Sequence, residues 1–101
     1  MATDTRADVI VFGDEALVSV HGELDLFSLD VLREALADAA EAARVVIDLQ
    51  GVAFLDCAAL RFIEDAAKQY AADSRSLRVE HASGIVNHLI EILKLDDLRV
   101  R

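Results

Sequence analysis

Short apolar runs near the N-terminus predict two strands. Val9–Phe12 is an apolar run that ends at Gly13–Asp14, and a second β-rich run extends from Ala16 to His21. Because a Gly-Asp pair between two such runs is typical of a hairpin, we predict that the two strands pair antiparallel. Gly22–Asp25 then interrupts the pattern, and residues 1–7 are predicted to form a flexible N-terminus.

Three later stretches have the spacing of amphipathic helices. The first begins near Ser28, the second near Asp56 or Cys57, and the third after Ser83, whose hydroxyl can cap it. The predicted inward residues are Leu29, Leu32, Leu36, Ala39 and Ala43 in the first helix, Leu60, Ile63, Ala67 and Tyr70 in the second, and Val86, Leu89, Ile90 and Leu93 in the third.

Further strands are predicted between and after these helices. Val45–Leu49 is apolar and β-branched, which is typical of a strand covered on both faces. Leu77–Glu80 and Leu98–Val100 are predicted as two more strands, and Gln50–Leu55 as a connection. The order β-β-α-β-α-β-α-β requires right-handed crossovers. We therefore expect an α/β fold with a mixed β-sheet of four to five strands and three helices mainly on one face.

Length and composition favour one cytoplasmic domain. The chain has 101 residues, 54% of them hydrophobic, and we expect residues 8–101 to form a single domain that needs no disulfide to stabilise its core. The apolar runs are short and interrupted by charge, so we expect no membrane span. Cys57 is the only cysteine, which fits a reducing compartment.

The charge distribution points to a protein partner. The formal net charge is −9, and all of the excess lies in residues 1–56, where 12 acidic residues accompany 3 basic ones. Such a surface repels nucleic acid and anionic membranes, so a protein with a basic face is the better candidate partner. The simpler alternative is that the charge only keeps a small domain soluble.

Motifs for catalysis or cofactor binding are not found in the sequence. It contains no phosphate-binding glycine loop, and His21, His81 and His88 do not have the spacing of metal ligands. No feature pairs Cys57 with a histidine. We therefore expect a protein that is not an enzyme and that binds no cofactor or metal.

Two loops carry the remaining polar signal. Gly22–Asp25 follows the second strand, and Phe54–Leu60 follows the third. The carboxyl ends of strands form the usual binding edge of an open α/β sheet, so Asp25 and Asp56 are expected to lie close together if the strands are neighbours. The alternative is that Asp56 only caps a helix and Asp25 only forms a turn.

These segments, taken in order, resemble the STAS domain family. The resemblance extends from about Val9 to Leu98 and rests on Gly22–Asp25, Val46–Leu49, Val52, Phe54–Asp56 and Leu60. It implies a small sheet with helices mainly on one side. In bacterial members it implies an anti-sigma factor antagonist, which captures an anti-sigma factor that is also a serine kinase with an ATP-binding fold and so regulates transcription.

The family's phosphorylation motif is altered in this chain. The kinase modifies the Ser or Thr directly after the aspartate of Asp-Ser-Ser/Thr-Gly-Leu, whereas here Cys57, Ala58 and Ala59 follow Asp56. We therefore predict a partner-binding module without phosphorylation control. The resemblance implies a partner-binding set of Gly22, Glu23, Asp25, Ser28, Asp56, Cys57, Ala58 and Ala59.

Several roles at this site stay open on sequence grounds. Cys57 is either a redox switch or a small side chain that fits the space of serine. Ser28 is either a displaced phosphoacceptor or the cap of the first helix. Ala59 is expected to add a methyl group to the contact surface, and Asp25→Lys or Asp56→Lys to weaken binding more than folding.

The biological setting has alternatives too. The domain could instead be a STAS subunit that docks on the ATPase of a lipid-transport ABC complex or joins a stress-signalling assembly. In either setting the domain could also form a homodimer.

Overall fold

Four strands and three helices make up the part of the chain that is described, residues 5–92 of a computed structural model. The strands are β1 (Arg6–Phe12), β2 (Glu15–Leu24), β3 (Arg44–Leu55) and β4 (Ser76–Glu80); the helices are α1 (Leu29–Asp38), α2 (Cys57–Ala72) and α3 (Gly84–Ile92), with a short 3₁₀ helix at Leu26–Ser28. The sheet order is β1-β2-β3-β4. β1 and β2 pair antiparallel, while β2 with β3 and β3 with β4 pair parallel, so the predicted mixed sheet is confirmed.

The helices cover one face of this sheet. Alternate strand residues turn toward them and are buried: Ala16, Val18 and Val20 of β2, Val45, Ile47 and Leu49 of β3, and Leu77 and Val79 of β4. Leu32 of α1, Ile63 of α2 and Ile90 of α3 belong to the same buried cluster. The opposite face is only partly covered, since Val46 and Asp48 of β3 are half-buried. The prediction that Val45–Leu49 is covered on both faces therefore holds fully only for the face turned toward the helices.

The paired strands β2 and β3 are longer than predicted. The parallel pairing continues to Leu24 and Leu55, so the strands include Gly22–Leu24 and Gln50–Leu55, which were predicted to be loops. The register is irregular near His21 and Gly22. Gly51 allows this continuation, since a Cβ atom at that position would collide with the His21 ring. The hydrogen-bonded ladder thus outweighs the weak strand propensity of glycine.

Other element boundaries also differ from the predictions. α1 ends at Asp38, so Ala43 is outside the helix. β1 begins at Arg6, inside the segment that was expected to be a loose terminus. The Ser83 hydroxyl accepts a hydrogen bond from the Val86 N–H at 3.2 Å, as predicted for the start of α3. Three predicted features lie outside the described part of the chain: Leu93, the strand Leu98–Val100 and the side chain of Leu89.

Within residues 5–92, none of the helices combines the length and the apolar character needed to cross a bilayer.

Candidate functional site

The site is built where β2 and β3 end side by side. Leu24 pairs with Leu55 in the parallel register, and the next residues are Asp25 and Asp56. The Asp56 N–H donates to the Leu24 carbonyl at 3.2 Å. The two aspartates therefore lie close together, as the sequence analysis expected. We call residues 22–28 together with residues 54–58 the contact edge.

Asp25 organises the turn that leaves β2. Its Oδ1 accepts hydrogen bonds from the N–H groups of Phe27 and Ser28, both at 3.0 Å. These amides lie at the start of the 3₁₀ helix, where a carboxylate cap satisfies N–H groups, and the Ser28 N–H also reaches the Asp25 carbonyl at 3.1 Å. The Asp25 side chain is thereby held against its own loop.

Ser28 completes this cap from the other direction. Its hydroxyl oxygen accepts from the Asp25 N–H at 2.9 Å, and its single proton can reach the Glu23 carbonyl or Asp25 Oδ1, each at 3.0 Å. Ser28 occupies the N-cap position of α1, but its side chain makes no capping bond to that helix. The expectation that its hydroxyl caps the first helix was therefore wrong: the hydroxyl stabilises the preceding turn.

Asp56 joins the two loops of the contact edge. Its Oδ1 accepts from the Ala59 N–H at 2.9 Å and so caps α2, and its Oδ2 accepts from the Leu26 N–H at 3.3 Å. Both carboxylate oxygens thus hold backbone. A lysine at this position would break the cap as well as change the charge, so Asp56→Lys would affect folding in addition to binding; the expectation that binding suffers more than folding stays a prediction.

The three residues after Asp56 differ in accessibility. Cys57 is the first residue of α2 and is an exposed free thiol. Ala58 is half-buried. Ala59 is fully buried at 0% exposure, so its methyl group packs in the core and is unavailable to a partner. Its assignment to the contact surface is corrected: the residue acts through the stability of α2.

Exposed apolar side chains flank the two aspartates and were missed by the sequence analysis. Leu26 is 60% exposed, Phe27 is 92% exposed and Phe54 is 52% exposed. Phe54 pairs with Glu23 across the strands, one position before Leu24 and Leu55. We call Leu26, Phe27 and Phe54 the contact patch. In the sequence, the available signal was the apolar pair Leu26–Phe27 directly after Asp25, because a turn has no helical or strand periodicity that would direct these side chains into the core.

The contact edge carries acidic side chains that form no ion pair with the lysine or arginine side chains of residues 5–92. Glu23, Asp25 and Asp56 lie in residues 22–28 and 54–58, and these segments contain no lysine or arginine. The half-buried Glu23 side chain is available to a cation, since its backbone carbonyl makes the bonds to Thr5 and Ser28. Within residues 5–92 no group of three or more histidine, cysteine or acidic side chains could hold a metal ion.

Comparison with known proteins identifies the domain. The family model of the STAS domain matches residues 6–99. An anti-sigma factor antagonist from Mycobacterium paratuberculosis superposes with a TM-score of 0.74 at 25% identity, covering 92% of this chain and 80% of that one. A Thermotoga maritima protein superposes with a TM-score of 0.79 at 14% identity, covering 89% and 80%.

Two further solved structures superpose on this chain: one is a phosphorylated protein and the other is a longer protein. The Bacillus cell fate determinant SpoIIAA in its phosphorylated form gives a TM-score of 0.71 at 12% identity, covering 92% of this chain and 86% of that one. Mglu matches 76% of this chain with a TM-score of 0.66 at 23% identity, but this chain spans only 20% of its length.

No protein with a curated functional description matches the chain by sequence. The family match nonetheless covers nearly the whole chain, and the structural superpositions agree with the mixed sheet and its helices. This chain therefore belongs to the STAS domain family.

Proposed function

We propose that this chain is a non-catalytic, cytoplasmic regulator that binds an anti-sigma factor with a kinase-like ATP-binding fold through its contact edge. The observation that carries the proposal is the contact patch of exposed apolar side chains beside unneutralised carboxylates on a rigidly capped loop pair. The structural relative from Mycobacterium paratuberculosis, an anti-sigma factor antagonist, supports it.

The composition of the contact edge suits a protein partner. Interfaces commonly have aromatic anchors surrounded by polar residues, and a few such anchors supply most of the binding energy. Phe27 is the strongest anchor, being 92% exposed on a turn that Asp25 holds in place. The matching surface would offer an apolar pocket with lysine or arginine near Glu23.

The residue after Asp56 argues for binding without phosphorylation control. Phosphate at this position would add about −1.5 to −2 charges to an already acidic edge and oppose binding. Cys57 is exposed, so a kinase could reach it. Its thiol, however, replaces the hydroxyl group that a serine kinase phosphorylates. Ser28 does not replace that hydroxyl, because its own is half-buried and hydrogen-bonded within the turn.

Charge reversal at Glu23 tests the proposed partner surface. Calorimetry with purified anti-sigma factors of the source organism should show wild-type binding, and Glu23→Lys should weaken it by at least about tenfold, as expected for a charge in contact with a cationic partner. Glu34→Lys is the matched control, since Glu34 is exposed on α1 outside the contact edge. Equal affinity of both variants would refute the surface. Binding to a transporter ATPase instead of any anti-sigma factor would refute the regulator role.

A further inference from the structure

The free edge of the sheet suggests a second interaction surface. We propose that the chain forms a two-fold homodimer in which β1 pairs antiparallel with β1 of a second copy. The inference is independent of the proposed function, because β1 lies outside the contact edge.

The backbone of β1 has hydrogen-bonding groups available on one side. β1 is the first strand in the order β1-β2-β3-β4, so within the described chain its strand partner is β2 alone. The hairpin closes with Phe12 opposite Glu15 through the two-residue turn Gly13–Asp14. In such a hairpin the closing pair exchanges both hydrogen bonds, and alternate residues point their N–H and C=O groups outward. Ala7, Val9 and Val11 therefore present their backbone groups to the free edge.

The side chains around this edge are apolar on both faces of the strand. Ile10 is 63% exposed and Phe12 is 85% exposed on the face turned away from the helices, beside Leu17, which pairs with Ile10. Val11 is 55% exposed on the opposite face. Stacking of two open sheet faces would leave Val11 uncovered, whereas edge pairing brings residues of both faces to the second copy. The exposure pattern therefore favours edge pairing.

β1 has few of the usual protections of an edge strand. Natural edges are guarded by charged residues, above all lysine, by proline or by a bulge. β1 contains no lysine or proline, its register with β2 is regular over all seven positions, and its charged residues Arg6 and Asp8 leave Val9–Phe12 entirely apolar. An apolar edge segment of this kind is a template for pairing with another strand.

The charges next to β1 permit a second copy to approach. The net charge of −9 opposes self-association in general, but Asp8 lies 4.0 Å from Arg6, and Glu15 lies 3.5 Å from Arg44. These nearby partners reduce the repulsion at this site. The excess acidic charge is thus less concentrated here than at the contact edge.

The strand sequence is complementary to itself in the antiparallel direction. If Val9 faces Val9 of the second copy, the outward residues Ala7, Val9 and Val11 form three hydrogen-bonded pairs. Asp8 then lies opposite Ile10, and Arg6 lies opposite Phe12. No like charges face each other in this register, and Arg6 can stack on an exposed aromatic ring. This self-complementarity is the reason for assigning the edge to a second copy rather than to another protein.

Sedimentation equilibrium over a concentration series tests the dimer. The wild type should shift from the 11.0 kDa of one chain to twice that mass as concentration rises. Val11→Pro removes one outward N–H from an exposed edge position, where proline is tolerated, and should leave the protein monomeric with an unchanged far-UV spectrum. Ile10→Asp places a carboxylate opposite Asp8 of the second copy and should raise the dimer dissociation constant at least about tenfold, because like charges directly opposite each other destabilise paired strands.

Phe27→Lys is the matched control, because it removes an equally accessible aromatic from the contact patch and should leave the dimer intact. A wild type that stays monomeric throughout would overturn the proposal, as would a dimer lost only in Phe27→Lys. A dimer that survives Val11→Pro but not Ile10→Asp would indicate stacking of sheet faces and would also overturn edge pairing. Should Val11→Pro misfold, Val11→Lys replaces it, because Val11 lies on the opposite face from Ile10 and a lysine there guards the edge without touching a stacked face.

Discussion

Asp56, at the start of α2, accepts a hydrogen bond from the backbone N–H of Leu26 at 3.3 Å, although 30 residues separate the two in sequence. The other oxygen of the same carboxylate accepts from the Ala59 N–H at 2.9 Å. One side chain therefore caps a helix and fixes the position of the turn that presents the contact patch. The Asp56 carboxylate therefore contributes both to the stability of the fold and to the position of the contact patch.

Asp56→Ala should lower the free energy of unfolding by about 1–2 kcal/mol, since it removes a helix cap and leaves the Leu26 amide without this acceptor. Urea denaturation of the purified chain measures the change. Asp30→Ala is the control, because Asp30 forms an exposed ion pair with Arg33 in the first turn of α1 and is not the cap of that helix, so its loss should cost about 0.5 kcal/mol. Equal losses in the two variants would contradict the assigned role of Asp56.

Ala59→Gly should destabilise the protein by more than Ala58→Gly does. Glycine costs about 1 kcal/mol relative to alanine inside a helix, so both variants share that loss. Ala59 also buries its methyl group completely, whereas Ala58 is half-buried, which adds up to about 0.8 kcal/mol for Ala59. The difference in unfolding free energy is measured from the denaturant midpoints of the two variants, provided that their m-values are equal. A larger loss for Ala58→Gly would contradict the burial of Ala59.

Phe27→Ala should weaken binding of the proposed anti-sigma factor by about 2 kcal/mol or more, as expected for an aromatic anchor at the centre of an interface. Its effect on stability should be within about 0.5 kcal/mol, because the ring is 92% exposed. Phe12→Ala is the matched control: that ring is 85% exposed but lies at the hairpin outside the contact edge. Comparable losses of partner affinity in both variants would show that the contact patch is not the anchor.

Much of the fold follows from local pattern and connectivity. Apolar residues at helical spacing predict the inward faces of α2 and α3 through Leu60, Ile63, Val86 and Ile90, all of which are buried. The proximity of Asp25 and Asp56 also follows, because neighbouring parallel strands end at one edge of a sheet.

The errors arose where tertiary contacts override local propensity. Gly51 weakens a strand signal, yet β3 continues through it because the parallel pairing with β2 persists, and the His21 ring takes the space that a side chain at this position would need. The inward position of Ala59 depends on the rotation of α2 relative to the sheet, which residue spacing near a helix start does not determine. Phe27 lies in a turn, where no period distinguishes a buried side chain from an exposed one.

The central claim is that the contact edge binds its partner without phosphorylation control. The most direct test is to incubate the wild type and the matched variant Cys57→Ser with the bound anti-sigma factor kinase and ATP, and then to measure intact mass and complex stability. We predict that the wild type gains no phosphate on residues 56–60 and stays bound, while Cys57→Ser gains one phosphate and dissociates. Phosphate on the wild-type contact edge, or its release from the complex by ATP, would contradict the account.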